Sequence, residues 1–213
     1  AMIASNSSFS PIVVGDLTLL GGTSIAQPVA GQTAVAESMA EIHTGGNLNL
    51  NVGRDLIITG GEATATTQTG GSGAIAASGA SLNADGIKNI QVGRDFNVTG
   101  GSATTAGSNA TATAIAGMDA GSSASTSETL KITTGGNMLV KGGIEFGAGT
   151  LASAAILSAG EIKLFIGGPQ GLLLSGGGGS DLYQLVGTTL ISLEGKAYPI
   201  TVQGTFGSSS GLA

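Results

Sequence analysis

The chain has no cysteine and no tryptophan, and aromatic residues fill only 3% of its 213 positions. Without cysteine there is no disulfide scaffold, and with a single histidine there is no zinc site. Charged residues make up 9%, against about 25% in ordinary soluble domains. Four prolines and no Gly-X-Y period exclude collagen. Seven basic residues in a chain of net charge −6 leave no electrostatic footprint for nucleic acid. There is no apolar run of about 18 residues to span a bilayer, and no basic amphipathic segment to lie on one. The opening Ala1-Met2-Ile3 lacks a basic region followed by an apolar one, so no signal peptide is read. The Ala1-Met2 pair is expected to be a cloning remnant on a piece excised from something larger. What is abundant is glycine, 39 residues, within a hydrophobic fraction of 41% supplied largely by small side chains. That fraction argues against disorder, and the scarcity of rings argues against an ordinary aromatic-rich enzyme core.

Internal repetition is the main signal. GDLTLLGG at 15–22, GRDLIITGG at 53–61, GRDFNVTGG at 93–101 and GGNMLVKGG at 135–143 align. Asp16, Asp55, Asp95 and Asn137 share one position. Leu17, Leu56, Phe96 and Met138 follow it, then Leu19, Ile58, Val98 and Val140 two residues on. Each block closes on a glycine pair: Gly21-Gly22, Gly60-Gly61, Gly100-Gly101 and Gly142-Gly143. Period two within a block is strand spacing. Leu48, Leu50 and Val52, then Ile90 and Val92, then Leu130 and Ile132 continue it upstream. Small-residue strands lie midway, at 33–40, 73–82, 110–118 and 151–157.

Short strands turned by glycine at a fixed period predict an all-β solenoid, in which equivalent side chains stack from coil to coil. The repeat of about 40 residues is expected to hold about two coils of about 20. The eight aliphatic and aromatic block residues named above then form the core ladder. The Asp16, Asp55, Asp95 and Asn137 column forms a structural turn stack, with Asx side chains bonding their own backbone and glycine supplying positive φ. Residues 1–12 are read as tag remnant and leading segment, 13–168 as the repeats, and 169–213 as a C-terminal capping segment. Tyr183, Tyr198 and Phe206 concentrate in that tail, where a hairpin of 185–193 with 197–206 is expected to cover the last coil. The GGGGS at 176–180 reads equally as an engineered linker or a native loop.

The GRDL-x-I-x-GG blocks separated by Ala/Ser/Thr/Gly-rich strands resemble the filamentous haemagglutinin family, the exoproteins of two-partner secretion in Gram-negative bacteria. The similarity covers roughly residues 13–168, and IEFGAG…IKLFIGGPQGLLLSGGGGSDLYQL resembles the final coils of some such exoproteins. The family's N-terminal secretion domain and its terminal cysteine pair are not found in the chain. The resemblance implies a right-handed parallel β-helix, a secreted or cell-surface location, and work as an adhesin or the stalk presenting one. It also implies a two-partner-secretion outer-membrane transporter as export partner. A host or bacterial cell-surface glycan or protein is the candidate ligand, and the chain is expected to be monomeric.

Catalytic readings are weaker. His43 stands in EIHTGGN beside a glycine turn, where an exposed structural residue is the simpler reading than a catalytic base. Arg54, Arg94, Asp55 and Asp95 would stack as a charged ladder along one corner. As the acid pair of a β-helix carbohydrate-active enzyme they lack accompanying cleft residues and aromatics, so solvated ion pairs are the simpler reading. One Asp per 40 residues is far too sparse for a calcium β-roll. No GxxxxGK[ST] supports a phosphate loop, and the Thr runs at 63–67 and 110–114 are too irregular for an ice-binding array. No catalytic, cofactor-binding or metal residue is therefore assigned. Recognition, if present, is expected in the variable segments 64–73, 104–111 and 119–128, as the simplest reading for a non-enzymatic rod.

Overall fold

The structure is a computed structural model, described for residues 1–27, 31–67, 73–107, 109–120, 129–147, 150–158, 161–176, 181–186, 189–193 and 200–203. It is a parallel β-solenoid. A leading turn holds β1 (Met2–Ser5), β2 (Ile12–Val13), β3 (Leu17–Leu20) and β4 (Thr23–Ala26). The next turn holds β5 (Thr33–Thr44), β6 (Leu48–Val52), β7 (Leu56–Thr59) and β8 (Glu62–Thr66). The one after holds β9 (Gly73–Ala84), β10 (Lys88–Val92), β11 (Phe96–Thr99) and β12 (Ser102–Ala106). Then come β13 (Ala110–Ala120), β14 (Leu130–Thr134), β15 (Met138–Lys141) and β16 (Ile144–Phe146). The stack continues with β17 (Leu151–Ser158), β18 (Glu161–Ile166), β19 (Leu172–Ser175), β20 (Asp181–Val186), β21 (Thr189–Leu193) and β22 (Ile200–Gln203).

Corresponding strands of successive turns pair in parallel and build four sheets. Sheet A is β1-β5-β9-β13-β17-β20 and sheet B is β2-β6-β10-β14-β18-β21. Sheet C runs β3-β7-β11-β15-β19-β22, and sheet D runs β4-β8-β12-β16.

The register corrects the expected coil count. Leu56 pairs with Phe96 and Phe96 with Met138, so one whole repeat makes one turn, not two. The reason lies in the cross-section. Each full turn has a strand in four sheets, and the sheet A strand reaches 12 residues in β5 and β9. That long strand spans two separate cores. Its first half packs Ala34, Ala36, Ala74 and Ala76 against Ala63, Ala65 and Ala103 of sheet D, an alanine-rich lobe whose sheet D columns also bury Thr105 and Glu145. Its second half faces sheets B and C across a wider lobe of Ile42, Leu50, Leu56, Ile58, Ile90, Phe96 and their equivalents.

The glycine pairs form the waist between the lobes. A Cβ on Gly60 would lie 2.8 Å from the carbonyl oxygen of Gly79 in sheet A, and one on Gly142 would lie 2.8 Å from the Ser153 nitrogen. Backbone approach, rather than positive φ, selects glycine here; positive φ occurs at Gly31, Gly107, Gly147 and Gly171 among the described glycines.

Both ends extend the stack. In the leading segment, β1 pairs with β5, and the Ala1 amino group donates to the Met39 carbonyl at 2.7 Å. In the tail, β20, β21 and β22 pair in parallel with β17, β18 and β19. The tail strands thus follow the sheets instead of folding into the expected hairpin, because each finds a parallel edge to pair with, β21 joining β18 with a register shift between Glu161 and Lys163. Residues 177–180 of the GGGGS lie outside the described residues.

Candidate functional site

The corner between sheets B and C carries the Asx column. Asp16 Oδ1 accepts the Asp55 N–H at 3.1 Å, and Asp55 Oδ1 accepts the Asp95 N–H at 3.1 Å. Asp95 Oδ1 accepts the Asn137 N–H at 2.8 Å, and Asn137 Oδ1 accepts the Gln170 N–H at 2.9 Å. Each side chain therefore bonds the next turn's backbone, where the expectation was a bond to its own. A parallel stack leaves these corner N–H groups pointing at the turn below, and a short acceptor reaches them. Arginine adds to the corner. Arg54 donates to Asp16 Oδ2 at 2.8 Å, and Arg94 reaches both oxygens of Asp55, at 3.1 and 2.5 Å. The hydrogen bonds from Arg94 and from the Asp95 N–H hold the Asp55 carboxyl below its usual range. The same bond raises Arg94. These carboxylates are engaged in joining turns.

The core columns run as continuous stacks. Leu17, Leu56, Phe96 and Met138 are in register, and so are Leu19, Ile58, Val98 and Val140. All but half-buried Leu17 are buried. His43 lies on the outer face of sheet A, 41% exposed, with Nδ1 4.0 Å from Glu41 Oε1. That Glu41 oxygen accepts the Asn83 amide at 2.9 Å. Among the described residues no three His, Cys, Asp or Glu side chains gather to hold a metal ion. No helix there is long and apolar enough to cross a membrane. Of the expected recognition segments, 64–66 and 104–106 are strand ends of β8 and β12, 73 opens β9, and 110–111 and 119–120 belong to β13. Residues 68–72, 108 and 121–128 lie outside the described residues.

Three features escaped the sequence reading. Lys88 is fully buried in the column of Leu48 and Leu130, its ammonium donating to the Leu82 carbonyl. Ser78 Oγ donates to the Gly61 carbonyl at 2.6 Å and Ser38 Oγ to that of Gly22 at 2.5 Å, each tying sheet A to the glycine waist. Only the repeat alignment, with Ser38 and Ser78 in one register, could have signalled the serines.

Two shallow outer surfaces remain. On sheet A, a hollow of about 270 Å³ lies over Gly117, between Met39, Ile115 and Leu157. On sheet B, a hollow of about 240 Å³ is lined by Ser10, Ile12 and the amides of Asn49, Asn51, Asn89 and Gln91. A second hollow of about 300 Å³ follows beside it, along Asn51, Gln91 and Thr133.

Comparison with protein-family models, curated proteins and solved structures finds no match to this chain.

Proposed function

We propose that the chain is a non-enzymatic, structural and adhesive segment of a large secreted exoprotein, a rod that presents or makes adhesive contacts at the cell surface. The observation that carries this reading is the unbroken register of stacked turns, from β1 to β20 in sheet A, which repeats each outward position along one axis. Repetition of this kind suits multivalent contact, in which weak sites gain from proximity without a deep pocket. Of the carboxylates that a glycoside-cleaving reading would use, Asp55 is bonded to Arg94 and the Asp95 N–H, and Asp95 to the Asn137 N–H of the next turn, which supports a structural role. The resemblance to filamentous haemagglutinins supplies the secreted setting and the export partner, an outer-membrane transporter. The absence of cysteine suits passage through a narrow pore.

The test is a binding screen of the purified chain against cells, matrix proteins and glycans, with a heat-denatured control. Saturable binding is the expected result. A blank screen reduces the segment to a spacer, and turnover of a polysaccharide lost on Asp55→Asn or Asp95→Asn substitution overturns the reading in favour of an enzyme.

A further inference from the structure

We propose that the outer face of sheet B is a binding lane for a neutral, hydroxyl-rich linear glycan lying across the strands. This deepens the adhesive reading above and rests on it.

The lane follows from register. Ile12, Asn51, Gln91, Thr133 and Phe165 form one outward column. Asn49, Asn89, Lys131 and Lys163 form the other. Strands lie about 4.8 Å apart, so the first column runs about 19 Å. Two neutral amides, Asn51 and Gln91, stand in its first half with Asn49 and Asn89 beside them in the other column, and each amide carries two donors and an acceptor, the combination that vicinal hydroxyls complement.

Several amides elsewhere are spent on structure. Asn47 and Asn137 cap backbone N–H groups, and Asn83 holds Glu41. On the lane, the side chains of Asn51 and Gln91 make no hydrogen bond within the described residues. Asn89 Oδ1 is shielded from water there and has no partner. Asn49 makes only a long 3.4 Å contact to Ser10 Oγ. The exposed Asn51 and Gln91 amides therefore have unused capacity, held on rigid strands that lose little freedom on binding.

Apolar groups bracket them. Ile12 is 78% exposed at one end. Phe165 stands at the other, with Lys131 Nζ 5.5 Å from its ring centroid. Such groups suit the C–H faces of a sugar ring. No carboxylate occurs at the described positions of either column.

The experiment uses the full, isotope-labelled chain, titrated with four neutral hexasaccharides: β-1,4-glucan, α-1,4-glucan, β-1,4-mannan and chitin oligomers. Side-chain amide resonances of Asn51, Asn89 and Gln91 are followed. At least one probe is expected to give saturable shifts there, unchanged when salt rises from about 0.05 to about 0.5 M because no charge pairing is involved. The exposed pair Asn51→Ala with Gln91→Ala should weaken that binding at least tenfold with an unaltered circular dichroism spectrum. Silence from all four probes, binding that salt abolishes, or binding undiminished in the double variant overturns the lane. If the chain still binds cells or matrix proteins in those cases, the adhesive reading survives alone. If it binds nothing, both fall.

Discussion

Replacing Gly101 by alanine tests the idea that the glycine waist is set by backbone approach. A Cβ at Gly101 would sit 1.9 Å from the Gly61 carbonyl oxygen and 2.1 Å from Ser78 Oγ. The Gly61 oxygen already accepts the Ser102 N–H at 2.9 Å and the Ser78 hydroxyl at 2.6 Å. Relief requires a displacement of about 1 Å, enough to break both bonds, since they weaken steeply beyond normal length. Unpairing buried groups costs about 1–3 kcal/mol and overpacking about 1–3 kcal/mol, so a total loss of about 2–6 kcal/mol is expected. The same column contains its own control. Gly22 has nothing within 4 Å of its added Cβ, and its φ is not positive. Gly22→Ala should be neutral, or stabilising by about 0.4–1 kcal/mol through the unfolded chain. Urea unfolding followed by far-ultraviolet circular dichroism reads both variants without tryptophan. If Gly101→Ala unfolds at the wild-type midpoint, or Gly22→Ala falls as far as Gly101→Ala, the steric account is wrong.

The Asx column predicts a graded series at Asp95. Asp95→Asn should hold within about 0.5 kcal/mol, because Asn137 performs the same bond one turn on, whereas Asp95→Ala should lose about 1–2 kcal/mol by leaving the Asn137 N–H unpaired. A urea midpoint for Asp95→Ala equal to wild type would contradict this. Asp55 carries the pH dependence. Its folded pKa lies below the ordinary 3.8, so its contribution is present above that value and is lost as pH falls through the lower folded one. Asp55→Asn should flatten the stability profile below about pH 4, and an unchanged acid limb would refute the assignment. Lys88→Met should keep or raise the urea midpoint, since an apolar side chain then joins Leu48 and Leu130 and no ammonium is desolvated. A drop of more than about 2 kcal/mol would show that the buried ammonium is a net stabiliser.

Much of this architecture is written in one dimension. Alternation at Leu48, Leu50 and Val52 marks a strand with one buried face, because side chains on a strand point to opposite sides. Recurrence of Asp16, Asp55, Asp95 and Asn137 marks one corner, because a stacked turn must meet the same chemistry each time it passes. Period two cannot say how many strands close a turn. Two narrow coils and one broad, two-lobed coil satisfy the same alternation, and only pairing Leu56 with Phe96 separates them. The waist was hidden for the same reason: the demand for glycine at Gly60 comes from Gly79 of another sheet, not from its chain neighbours. Asp95 bonds the turn beyond it because parallel stacking brings the Asn137 N–H within reach across 42 residues. Nor does position alone explain how Lys88 can take a core place, which depends on the Leu82 carbonyl that the folded turn presents to it. Residue pattern along the chain thus determined strands, faces and repeat. Long-range backbone contact, which no local pattern encodes, decided the turn, the two cores, and which amides were left facing solvent.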